Sequence, residues 1–230
     1  MDSEPPPIDK RKLIAFMLPM AVFIVLLALI GALRKPGGGV WLASPEYWIY
    51  PAQTIICGAL LLWFWRDYDF RAPRKIWFAL AIGLVVFALW IAPQQFFGVA
   101  SRLAGFDPEV FAGQPALYWA TVIGRFLRLV IVVPLVEEIF WRGFLLRYLI
   151  NESFTKVAIG TFSWVSFVIV TLGFGFAHSP ADWTAALATG ALYNLVAYRT
   201  RSLATCVVAH ATTNLLLGIW IMATREWGFW

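Results

Sequence analysis

The chain has 230 residues, 61% hydrophobic and only 13% charged, with a mean hydropathy of +0.75. A soluble domain carries about a quarter charged residues, so a water-soluble fold of this length is excluded and one polytopic membrane domain is expected. The net charge of +5 and pI of about 9.4 do not point to nucleic acid: Lys10-Arg11-Lys12, Arg34-Lys35 and Arg66 through Lys75 sit at the ends of apolar runs, as membrane anchors do, with no basic face interleaved with aromatics.

Residues 1–12 read as a polar, flexible, cytoplasmic leader containing Pro5-Pro6-Pro7. The run Leu13 to Leu33 is longer than a signal-peptide core and is read as a retained first span. Further spans are expected at 48–65 and 76–93. A looser segment at 94–116, with Pro93, Gly105, Asp107 and Pro108, should lie at an interface. Apolar runs follow at 117–133, 136–150, 157–176, 183–198 and 203–222, before a short tail at 223–230. The expected fold is all-α: a polytopic membrane helical bundle of about eight (seven to eight) helices around a polar intramembrane cavity.

Pro134 either separates two helices or kinks a single long one. Topology depends on it. The N-terminus and the 66–75 loop read as cytoplasmic, so eight spans would place Arg199 and Arg201 outside, against the positive-inside rule, whereas seven would place them inside. A half-crossing helix near 136–150 would remove the conflict. Several of the thirteen tryptophans (Trp48, Trp65, Trp77, Trp183, Trp227, Trp230) stand near segment ends, as interfacial belts require. Cys57 and Cys206 lie inside apolar runs and read as small buried hydrophobes.

Three polar groups in this apolar background carry the chemistry, because ionisable side chains within membrane segments are costly to bury. The first is Glu137-Glu138-x-x-x-Arg142. Adjacent carboxylates on a helix diverge by about 100°. Glu138 and Arg142, four apart, share a face and favour an ion pair, which leaves Glu137 free to accept a proton. The second is Phe174-x-x-x-His178, with His178 expected on the last turn of its span, where it could bind and orient one water together with Glu137 while Phe174 walls the site. The third is His210-x-x-x-Asn214, two polar groups on one helical face, suited either to an oxyanion site or to helix–helix hydrogen bonding.

A zinc site built from the two histidines and a carboxylate is disfavoured, since the H-E-x-x-H arrangement is absent and Asn214 is a poor zinc ligand. No metal and no cofactor are expected. Arg125 and Arg128, three apart, could snorkel to an interface, pair with a carboxylate or meet a substrate carboxylate. Asn194, Thr161, Ser163 and Ser166 read as residues that bond across helices. No G-x-S-x-G, paired-aspartate, P-loop or G-x-G-x-x-G motif is present.

With E-E-x-x-x-R at 137–142, F-x-x-x-H at 174–178 and H-x-x-x-N at 210–214, in that order, the chain resembles the type II CAAX-prenyl endopeptidases, also called the CPBP or Abi family of intramembrane glutamic proteases. The resemblance covers about 117–222 and does not extend to 1–116. It implies a catalytic core at 117–222, which composition flanks with the leader 1–12, N-terminal membrane helices 13–116 and the tail 223–230. It also implies Glu137 as general base with His178 as partner, His210 and Asn214 as oxyanion donors, and Glu138, Arg142 and Phe174 in support. Eukaryotic relatives remove the last three residues of prenylated proteins, and bacterial relatives are tied to bacteriocin processing or immunity. The expected partners are therefore membrane lipid and a membrane-associated protein or peptide substrate, in a bacterial inner membrane.

Two other classes compete. A non-catalytic binding, immunity or scaffold protein on the same fold would not need Glu137, His178, His210 and Asn214 all intact. A proton-coupled transporter would spread its polar groups over both halves of the chain, whereas here they all lie in the second half.

Overall fold

A computed structural model describes residues 9–230. Most of the expected leader lies outside the described residues. Its last part is helical: Asp9 caps α1 (Lys10–Leu33) by accepting from the backbone amides of Arg11 and Lys12, so the basic cluster forms the first helical turn. A single turn, α2 (Val40–Ala43), leads into α3 (Glu46–Trp63). Then come α4 (Ile76–Phe96), the long α5 (Pro115–Tyr148), α6 (Trp164–Phe176), α7 (Trp183–Thr200) and α8 (Leu203–Thr224). The described residues thus form an all-helical bundle.

Four helices, α1, α4, α5 and α8, are long and apolar enough to cross a membrane. Large side chains face outward along the bundle, Trp77 at 83% and Leu62 at 76% exposure among them, as lipid contact requires. Of the tryptophans expected at interfaces, Trp227 is instead buried at 5%.

Two expected boundaries are corrected. The runs 117–133 and 136–150 are one helix of 34 residues, with Pro134 inside it. The expected helix 157–176 begins only at Trp164, because Phe154–Lys156 form a 3₁₀ turn and Ser163 is extended. The segment 94–116 continues α4 to Phe96 and is otherwise irregular until α5, apart from a 3₁₀ turn at Pro108–Phe111.

Helix α5 contains two π-helical stretches, Arg128–Val132 and Ile139–Leu145. In an ideal α-helix, four-residue steps from Leu129 to Trp141 would drift by about 120° around the axis. The wider π turns counter that drift, and Leu129, Val133, Glu137 and Trp141 all line one cavity. The first stretch also accommodates Pro134. Val133 N–H bonds to Arg128 O in the five-residue pattern, so the Leu129 carbonyl would be next in line for the N–H that proline lacks.

One buried apolar cluster draws residues from every long helix, including Phe16 (α1), Leu61 (α3), Val86 (α4), Ile139 (α5), Phe174 (α6), Val196 (α7) and Ala209 (α8). Helix α4 approaches α8 closely at Gly83: a Cβ there would stand 2.7 Å from Ala209 O and 2.8 Å from Thr212 Cβ, and Thr213 Oγ1 donates to Gly83 O at 2.9 Å. Small residues permit such approach in membrane bundles. Gly83→Leu is therefore expected to cost about 1–3 kcal/mol or more, read as a lower unfolding temperature in detergent. Gly31→Leu, which meets nothing within 4 Å, should leave that temperature unchanged.

Candidate active site

The neighbouring carboxylates of α5 do diverge. Glu138 is fully buried, and its Oε1 accepts from Arg142 Nη1 at 3.0 Å and from His210 Nδ1 at 2.9 Å. Arg142, also at 0% exposure, donates through Nε to Asn194 Oδ1 at 3.1 Å and through Nη2 to Gly190 O at 3.0 Å. The rings of Phe174 and Tyr193 pack over its guanidinium at 4.9 and 5.4 Å. Gly190 allows this because a Cβ there would press within 3.2 Å of Thr171 O on α6. The network joins α5, α7 and α8, and Asn194 extends it to α6 by donating to Thr171 Oγ1 at 3.1 Å.

Asn194 thus bonds across helices as expected. Thr161 and Ser166 do not: each hydroxyl donates to a carbonyl three residues earlier, Ala158 and Ser163 respectively. Ser163 caps α6 without a side-chain bond. Short polar side chains find local backbone acceptors first.

Glu137 faces a cavity of about 540 Å³ that is also lined by Phe174, His178, His210 and Asn214. Its Oε2 is buried without a hydrogen-bond partner. His178 stands just past the end of α6 rather than on its last turn. Its Nδ1 lies 2.8 Å from Phe174 O. A carbonyl can only accept, so Nδ1 carries a hydrogen, and in the neutral ring Nε2 is left with a lone pair. The Trp90 ring packs edge-on at 5.6 Å, and Trp183 Nε1 donates to His178 O. Glu137 and His178 therefore each offer an acceptor at one cavity.

By the same reasoning His210 Nδ1 donates to the Glu138 carboxylate. A neutral His210 ring would then present an acceptor at Nε2, and only the charged ring would donate there. Asn214 Nδ2 donates to Leu129 O at 2.8 Å, the carbonyl that Pro134 leaves without a helical partner. That bond uses one amide hydrogen and fixes the side chain.

The sequence reading missed several lining groups. Met20, Phe23, Ile24 and Leu27 of α1 supply an apolar wall, and Gly228, Phe229 and Trp230 of the expected tail line it too; Arg128, which the sequence left with three alternatives, is at the cavity. Gln53, fully buried in α3, accepts from Arg128 Nε at 2.7 Å. An amide in an apolar run was a signal that could have found it. Nothing in the sequence announced the tail. Among the described residues no three His, Cys, Asp or Glu side chains gather in an arrangement able to hold a metal ion.

The fold and cavity define a class: a helical membrane bundle whose cavity is lined by carboxylate, imidazole and amide side chains. Residues 118–216 match the family model for type II CAAX prenyl endopeptidases, Rce1-like. The resemblance carried by the three motifs is thus borne out over residues 118–216, the Rce1-like stretch that contains all three. No curated protein and no solved structure gives a significant match.

Two outcomes follow from this geometry. Arg142→Met removes one partner of a buried ion pair and should cost about 3–5 kcal/mol of stability, read by thermal unfolding. Asn214→Ala strands the Leu129 carbonyl and should cost about 1–3 kcal/mol. Pro134→Ala restores the missing N–H, so the double variant should recover part of that loss; strict additivity would refute this account of Asn214.

Proposed function

We propose that the chain is an intramembrane endopeptidase that hydrolyses a peptide bond of a membrane-associated substrate with a water activated by Glu137 and His178. The observation that carries this reading is the pair of acceptors without a partner among the described residues, the Glu137 carboxylate and His178 Nε2, on one cavity. A water has two hydrogens to donate, one to each. Its oxygen attacks the scissile carbonyl carbon while one O–H bond breaks and Glu137 takes the proton. The carbonyl π electrons move to oxygen. Collapse of that oxyanion re-forms the C=O bond and expels the amine, which takes the proton back from Glu137.

Asn214, through its second amide hydrogen, and a protonated His210, through Nε2, are the donors for the oxyanion. Glu138 supports that charge on His210 as a carboxylate orients and stabilises an imidazolium, and Arg142 holds Glu138 in place. Phe174 packs on both Arg142 and His178 and couples the two halves of the site. The apolar wall from α1 suits a lipid-modified or otherwise hydrophobic peptide. The positive-inside pattern and the Pro/Gly punctuation support a bacterial inner membrane as the setting.

The test is cleavage of prenylated and unprenylated peptide libraries by purified protein in detergent, with and without EDTA and 1,10-phenanthroline. Glu137→Gln and His178→Ala are each expected to lower kcat by about 10²–10⁴ with unchanged thermal unfolding, and chelators should have no effect. Cleavage by Glu137→Gln at the unaltered rate would remove the assignment of the base.

A further inference from the structure

Arg125 and Arg128 lie one turn apart on α5, at 4% and 5% exposure, and no carboxylate stands within ion-pair distance of either among the described residues. Of the two, Arg128 lines the cavity. It is held from behind: Nε donates to Gln53 Oε1 at 2.7 Å, Gln53 Nε2 donates to Phe23 O at 2.7 Å, and the Tyr50 and Phe23 rings pack on the guanidinium at 4.2 and 5.1 Å. Neither Nη1 nor Nη2 has a hydrogen-bond partner, and neither is sealed from the cavity. Arg125 sits behind it among the rings of Tyr50, Phe106 and Trp230, with its Nε and Nη1 unpartnered.

An unpaired cation in a membrane interior is costly to maintain. A guanidinium held through Nε at the cavity wall, with both terminal nitrogens left without a protein partner among the described residues, can receive a planar anion by two parallel N–H···O bonds. The geometry points to a carboxylate subsite at Arg128 that anchors the free C-terminal carboxylate of a peptide in the cavity, and this rests on the endopeptidase reading above. Arg128 precedes Glu137 by nine positions on the same helix, at most about 13 Å along the axis, since the π turn between them shortens the rise. That distance corresponds to at most about four extended residues, so the anchored carboxylate and the scissile bond would lie a few residues apart. Gln53 acts as a positioning residue, and Arg125 adds positive potential without reaching the cavity.

The experiment uses a fluorescein-labelled S-farnesyl peptide with three apolar residues after its cysteine, prepared as free acid and as C-terminal amide. Binding to the Glu137→Gln protein, which leaves the peptide uncleaved, is followed by anisotropy in phosphatidylcholine nanodiscs. The acid should bind about tenfold or more tighter than the amide. That preference should fall to about twofold or less when Arg128→Gln is added, and to an intermediate value with Arg128→Lys. Because each ratio is measured within one preparation, partial misfolding of a variant does not imitate the result.

Equal binding of both forms, or binding of neither, would overturn the subsite. A preference that holds in phosphatidylcholine and vanishes in phosphatidylglycerol would assign the guanidinium to lipid phosphate and overturn it as well. Acid-selective binding without cleavage by the unaltered protein would leave the subsite standing and sink the endopeptidase reading instead.

Discussion

Burying Arg142 is the constraint around which the rest of the site is organised. A guanidinium at 0% exposure inside a membrane bundle must have its charge balanced and its N–H groups paired. Glu138 supplies the charge, Asn194 and Gly190 supply acceptors, and two aromatic rings cover the faces. Those partners come from different helices, so satisfying one side chain fixes how α5, α6 and α7 sit against each other. His210 joins the same carboxylate. The orientation of one imidazole at the cavity is therefore a consequence of how one arginine is kept in a low-dielectric interior.

The second determinant is the winding of α5. Its π stretches hold a row of residues toward the cavity that a uniform α-helix would rotate away. Pro134 interrupts the backbone pattern at the same place, and Asn214 from α8 occupies the carbonyl left over. Asn214 thus has a structural bond and a place on the cavity at once, which ties the integrity of the helix to the arrangement of the site. His178, free of the helix end but tethered to Phe174 O, is oriented by a single backbone acceptor. In each case a missing or surplus backbone hydrogen bond sets the direction of a functional side chain.

Much of the candidate site was legible before any geometry. Glu138 and Arg142 four apart, two histidines in apolar runs, and His210 with Asn214 one turn on all followed from the cost of polarity in lipid and from helical periodicity. The partner of His210 was not legible. Spacing placed it with Asn214, whereas in space its Nδ1 meets Glu138, seventy-two positions earlier. Pro134 was legible as an irregularity without indicating whether it broke the helix, because the answer depends on whether another segment can satisfy Leu129 O. The start of α6 was misjudged for a related reason: apolar composition continues through 157–163, but the backbone there turns before it coils.

By itself the sequence determined that the chain is an all-helical membrane bundle, that its polar motifs lie in the second half, and that Glu138 and Arg142 share a helical face. Local periodicity and the penalty for burying charge are sufficient for those conclusions. Only the tertiary structure decided that Arg128 lines the cavity with Gln53 behind it, that α1 and the residues after α8 contribute to the cavity wall, and that His210 meets Glu138. Those outcomes depend on which helices pack side by side, and packing is settled by close approaches such as Gly83 of α4 against α8 and Gly190 of α7 against α6 that a linear pattern does not encode.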